Sequence, residues 1–278
     1  MGSGCAAGGA PVQRNAGRKR ATIAGSTTSA LPDDTSIAHG VTLARRLVAE
    51  ALGTALLLAV VVGSAVMGDR LAGGNAAIAL LVNSIASGCG LVVLILAFGA
   101  VSGAHLNPVV TLSEAWQRNF SGALVLPYVA AQVGGAFAGV AIAHLMFGEP
   151  VFAAATQART GAALWWSEGV ATFGLLATII GCARTRPGVT PYAAALFIVA
   201  GYWFTASSSF ANPALTLARA ATGTCAGIRL ADVPGYVLAQ LAGAAAATLV
   251  FGWLYPRAPA AATVAVLDPI RAVRQQAP

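Results

Sequence analysis

The chain has 278 residues, 57% of them hydrophobic and only 9% charged, where a soluble domain typically carries about a quarter charged residues. That leaves too little polar surface for a water-facing globule of this size, so lipid is the expected solvent. The net charge of +7 does not point to nucleic acid, because the basic residues are scattered around apolar segments and form no face.

Residues 1–42 are small and polar, with a basic cluster at Arg14, Arg18, Lys19 and Arg20, and read as a disordered tail. They lack the short apolar core and cleavage site of a signal peptide. Such a tail would be drawn to an anionic leaflet, though a solvated tail without a role fits equally. Six apolar stretches follow, approximately Leu47–Met67, Ala76–Ala100, Ala123–Phe147, Ala162–Ala183, Thr190–Ala206 and Val233–Tyr255. Each is long enough, or nearly so, to cross a hydrocarbon core of ~30 Å. A membrane-spanning domain is therefore expected over residues 43–256, with a C-terminal tail over 257–278. Cys5, Cys89, Cys182 and Cys225 have no metal-ligand spacing, so neither a disulfide framework nor a metal site is expected, and no cofactor is implied.

Arginine placement sets the orientation. With the N-terminus inside, twelve basic residues fall on the cytoplasmic side, against four (Arg70, Arg159, Arg219 and Arg229) outside. Both termini are expected in the cytoplasm of a multi-pass inner-membrane protein.

The chain also repeats itself. "AEALGTALLL" from Ala49 matches "SEGVATFGLL" from Ser167, and "PYVAAQVGG" from Pro127 resembles "PGYVLAQLAG" from Pro234. Between the second and third stretches lies "SGAHLNPVVTL", and between the fifth and sixth lies "FANPALTL". The order span, span, short segment, span thus occurs twice, over about 43–147 and 162–256. Three spans per half is odd, so the halves enter the membrane in opposite senses. This is an inverted repeat, which places a site at the midplane where the halves meet.

Each short segment carries a helix start. Proline suits the first helical turn, where its missing N–H costs nothing, and asparagine before it is a good N-cap. Asn107-Pro108 and Asn212-Pro213 should therefore open two half-helices at membrane depth, tolerable only inside protein or along a wet cavity. Their positive dipole ends would converge there and disfavour cations. A neutral hydroxylic solute could accept hydrogen bonds from both asparagine amides. Fixed central donors would also orient the two arms of a water file oppositely and so interrupt proton conduction.

With these motifs the chain resembles the aquaporin (major intrinsic protein) family over about residues 43–256. "SGAHLNPVVTL" is close to the family's first signature, with Val109 in place of alanine, and "FANPALTL" carries the second intact through Ala214. The resemblance implies an all-α membrane fold of six transmembrane helices and two re-entrant half-helices, assembled as a homotetramer with one pore per subunit. It also implies that Glu50 and Glu168 anchor the half-helix loops by accepting backbone hydrogen bonds, and that His105 is structural. Burial agrees, since a carboxylate within a span needs such donors; a glutamate near a span end reaching headgroups is the alternative.

The family's outer constriction maps by count onto Ser87, Ala200 (or Gly201 by a one-residue slip), Ser209 and Leu215. Water and glycerol channels of the family typically have arginine where this chain has Leu215. Leucine brings no charge and no donors, and the other three positions are small. A wide, weakly polar filter is expected, passing water, glycerol-like polyols and neutral metalloid hydroxides such as arsenous acid or a protonated organoarsenical. Arg219, four residues on, lies on the same helix face and could restore the charge; an arginine reaching outward to headgroups is the alternative. An ordinary water-selective channel guarded by Arg219 is thus a second reading. An ion-coupled secondary transporter is a third, sharing the inverted repeat but needing an ion site that the sequence does not show. No nucleophile, base and acid group together, and His39, His105 and His144 are dispersed, so an enzyme is not expected.

Overall fold

A computed structural model describes residues 40–255. The C-terminal tail and nearly all of the N-terminal tail lie outside those residues. The described chain forms α1 (Leu43–Leu71), α2 (Ala76–Ser102), α3 (Pro108–Trp116), α4 (Val125–Phe147), α5 (Ala162–Thr185), α6 (Thr190–Phe204), α7 (Pro213–Ala218) and α8 (Val233–Leu254). Short 3-10 turns at Gly122–Leu124, Pro187–Val189, Arg219–Ala221 and Leu230–Asp232 flank four of them.

Five helical segments are long and apolar enough to cross a membrane. The sixth expected span, α6, has only 15 residues, about 22 Å at the rise of an α-helix. It is short because the chain leaves helical geometry at Thr205, whose backbone is extended, to begin the second re-entrant segment. The preceding 3-10 turn makes up part of the missing length.

The packing repeats with the sequence. Helix α1 lies against α4, α5 against α8, and α2 meets α6 across the two halves. The half-helices α3 and α7 touch each other, and each packs on both α4 and α8. Most side chains on these helices are apolar all round, so close approach depends on small residues, not on an amphipathic stripe. In α4, a Cβ on Gly135 would meet the Ala51 carbonyl of α1, and in α8 a Cβ on Gly243 would meet the Gly169 carbonyl of α5. The two contacts are pseudo-symmetric copies of each other.

Gly135→Val should therefore force α1 and α4 apart, an overpacking cost of about 1–3 kcal/mol. The neighbouring Gly134 faces open space. Thermal unfolding in detergent should drop for Gly135→Val and not for Gly134→Val; equal midpoints would show that the approach of α1 to α4 does not limit stability.

Candidate functional site

The two Asn-Pro segments meet at the centre of the molecule. Asn107 and Asn212 are the N-caps of α3 and α7, each extended, with the side-chain oxygen accepting from the first backbone N–H groups of its own helix. Each amide nitrogen crosses to the other segment: Asn107 Nδ2 donates to the Ala211 carbonyl and Asn212 Nδ2 to the Leu106 carbonyl, both at 2.8 Å. The contact is thus a reciprocal pair of amide-to-carbonyl bonds. Each NH₂ group retains a second hydrogen, and both residues line the same cavity.

The glutamates hold these segments in place. Glu50, with no exposed surface, accepts from the Ser102 hydroxyl, the His105 and Leu106 N–H groups and Gln132 Nε2 at 2.7–2.9 Å. Glu168, equally buried, accepts from the Phe210 and Ala211 N–H groups and Gln240 Nε2 at 2.7–2.9 Å. Every partner is a donor, so each carboxylate acts purely as an acceptor. The same amides of Gln132 and Gln240 also donate to Thr111 and Thr216, whose hydroxyls donate to the Asn107 and Asn212 carbonyls. These four residues were not singled out by motif. They could have been: both repeats read Asn-Pro-x-x-Thr, and the third span of each carries Tyr-Val-x-Ala-Gln.

The loops are strained where the glutamates grip them. Ala104, Leu106, Ser209 and Ala211 have φ between 46° and 51°, a conformation that costs non-glycine residues of order 1 kcal/mol or more. The Leu106 and Ala211 N–H groups are thereby aimed at the carboxylates, and those of Ala104 and Ser209 at the Ser102 and Ser207 hydroxyls. The carbonyls of Ala104, His105, Ser209 and Phe210 consequently have no hydrogen-bond partner among the described residues, and these residues line the cavity. The rest of the lining is largely apolar and includes Leu57, Val61, Leu91, Ile95 and Ile198. The lumen therefore offers acceptors, two amide donors at its centre, and hydrocarbon over much of the remainder. His105 belongs to the lining too, with Nδ1 3.1 Å from the Thr111 hydroxyl and its ring against Phe120 and Tyr128.

The residues mapped to the constriction are placed unequally. Ser87, Ser209 and Leu215 are buried and line the cavity. Ala200 does not: it is exposed on the outer face of α6, which corrects the expectation for that position. Gly201 is buried against the Ser209 side chain. Tyr202 reaches the lumen instead, about 200° around the helix from Ala200, and its hydroxyl lies 3.0 Å from Ser87 Oγ. Counting back from the Asn-Pro motif misses it because a fixed residue offset does not say which face of α6 turns toward the lumen.

Past this point a second cavity opens, lined by Asp69, Asn83, Arg159, Tyr202, Arg219 and Cys225 among others. Its loops are tied by Asp232, which accepts from the Arg159 N–H and from the Arg229 guanidinium.

Residues 38–191 match the family model for the major intrinsic protein. The chain belongs to the major intrinsic protein family. It is 51% identical over 212 residues to aquaglyceroporin AqpS of Rhizobium meliloti, covering 76% of this chain and 91% of that one. Probable aquaporin AqpM of Archaeoglobus fulgidus is 32% identical over 246 residues, covering 77% and 96%. The X-ray structure of the aquaglyceroporin from Plasmodium falciparum superposes with a TM-score of 0.61 at 21% identity, covering 77% of this chain and 96% of that one. This channel is accordingly a multi-pass membrane protein for small neutral solutes, and not an enzyme.

Proposed function

We propose that the channel passively carries water, glycerol-like polyols and neutral metalloid hydroxides such as arsenous acid, and excludes ions. The observation that carries this reading is the mixed lining of the lumen. A polyol can lay its carbon edge against the apolar lining while its hydroxyls donate to the carbonyls and accept from Asn107 and Asn212. Arsenous acid, an uncharged trihydroxide, presents the same hydroxyl pattern in a smaller volume. The 51% identity to a protein named as an aquaglyceroporin favours a polyol over water alone. Both carboxylates near the midplane are committed to loop donors, which leaves an ion-coupled mechanism without a coordinating acid there.

The arginines support an orientation. Arg46 and Arg184 lie at ends of α1 and α5, while Arg70 lies at the other end of α1, and Arg159 and Arg229 lie by the second cavity, joined through Asp232. By the positive-inside tendency the ends that carry Arg46 and Arg184 are cytoplasmic and the second cavity is the outer vestibule. A homotetramer with one pore per subunit is the expected assembly from the family resemblance. Stopped-flow light scattering on reconstituted vesicles should show water, glycerol and arsenous acid fluxes that rise linearly with gradient and ignore the proton and sodium gradients. Saturable uptake that collapses with an ion gradient would replace this reading with a coupled transporter.

A further inference from the structure

The geometry points to Arg219 as the residue that supplies the filter's positive charge and its hydrogen-bond donors, in place of the leucine at position 215. This inference rests on the channel reading above. Two residues, Tyr202 and Arg219, line both cavities, so the inner lumen and the outer vestibule meet where these side chains stand. Leu215 lines the inner cavity only. The passage from one space to the other is therefore defined one helical turn beyond the position that the sequence motif marks.

Arg219 is built into this place. It is only 7% exposed, and its Nε donates to the Ala226 carbonyl. Its guanidinium carbon sits 3.5 Å from the centroid of the Phe210 ring, a cation–π contact strengthened by desolvation. The backbone around it is clamped by neighbouring loops: the Ile228 N–H donates to the Arg219 carbonyl, and the Ala153 and Ala155 N–H groups donate to the Ala221 and Ala220 carbonyls. Its terminal nitrogens have no hydrogen-bond or ion-pair partner among the described residues. A headgroup-seeking arginine would be exposed, whereas this one is buried and held by Nε and by the Phe210 ring, with its terminal nitrogens left to face the cavities.

Two consequences follow for selectivity. A cation entering from the vestibule meets a guanidinium without an ion-pair partner among the described residues where the two cavities join; at about 4 Å and the effective dielectric of a protein surface, the repulsion from that one charge corresponds to roughly a thousandfold lower occupancy. Arg159 lines the same vestibule, while Asp69 partly offsets the two charges. The free guanidinium N–H groups, together with the Tyr202 and Ser87 hydroxyls, form a cluster suited to an uncharged solute with hydroxyls on adjacent atoms. Leucine at position 215 leaves the chamber behind the arginine uncharged, so charge rejection and room for a polyol are separated along the axis.

The test uses the full-length protein in vesicles and planar bilayers. Wild-type protein should pass glycerol without cation current. Arg219→Leu should raise potassium conductance at least about tenfold, whatever its glycerol flux, with Arg219→Lys retaining cation exclusion. Glycerol flux through Arg219→Leu with unchanged cation exclusion would overturn the inference. A second readout on the wild-type chain covers the case in which Arg219→Leu fails to assemble. Cys225 lines the vestibule and is exposed, so its modification can be followed by peptide mass spectrometry with an anionic and a cationic methanethiosulfonate reagent. The anionic reagent should react several-fold faster, a ratio from which the thiol's own reactivity cancels; an equal or reversed ratio also overturns the inference. Absence of any neutral-solute flux in wild type would instead defeat the channel reading, and the Cys225 ratio would still report the charge.

Discussion

Glu168→Ala should cost the protein most of its folded stability. The substitution leaves the Phe210 and Ala211 N–H groups and the Gln240 amide without their acceptor, in a place that has no exposed surface. An unsatisfied buried donor costs about 1–3 kcal/mol, so three of them cost on the order of 5 kcal/mol, comparable with the whole stability of many domains. The effect should spread. Ser209 and Ala211 hold positive φ while their segment is gripped by the carboxylate, and once released the loop can relax and withdraw Asn212 from the Leu106 carbonyl. Thermal unfolding in detergent should show a fall of well over about 10 °C, and amide exchange across 207–216 should accelerate. A midpoint within about 2 °C of wild type would mean that the loop is held by other contacts. Glu168→Gln, which keeps one acceptor oxygen but turns a donor toward donors, should fall between the two.

The parts of this site that were legible in the sequence are those that declare themselves by repetition. Two Asn-Pro dipeptides in matching frames and two glutamates at matching span positions required nothing but alignment of the halves against each other. The structure brings Asn107, Asn212, Glu50 and Glu168 into one connected network. What was not legible depends on backbone rotation. The outward face of Ala200 and the inward face of Tyr202 differ by two residues on α6, and nothing in an all-apolar helix marks which side faces a lumen. Arg219 was visible as a residue one turn beyond Leu215, but its burial comes from Phe210 and the Ala226 carbonyl, contacts made by the loops that fold back over α7. The short α6 was hidden for a related reason: hydropathy continues through Thr205 and Ala206 into the re-entrant segment, so composition does not show where the helix stops.

Leu215→Arg should slow polyols, although glycerol channels of the family carry arginine there, because in this chain Arg219 already occupies the next turn. Leu215 is buried on α7 and lines the inner cavity, one turn from Arg219, so a guanidinium there fills the uncharged chamber and sets a second positive charge within a helical turn of the first. Loss of the apolar surface and narrowing of the lumen should together add at least about 1.4 kcal/mol to the barrier for a three-carbon solute, a fall of tenfold or more in glycerol flux. Arsenous acid, which is smaller, should fall less, and water least. Unchanged glycerol and arsenous acid fluxes in reconstituted vesicles would remove Leu215 from the selective part of the pore. The double variant separates position from charge. If Arg219 supplies the guard, Leu215→Arg combined with Arg219→Leu should regain the cation exclusion that Arg219→Leu loses and, with a single guanidinium in the pore, should recover glycerol flux relative to Leu215→Arg alone.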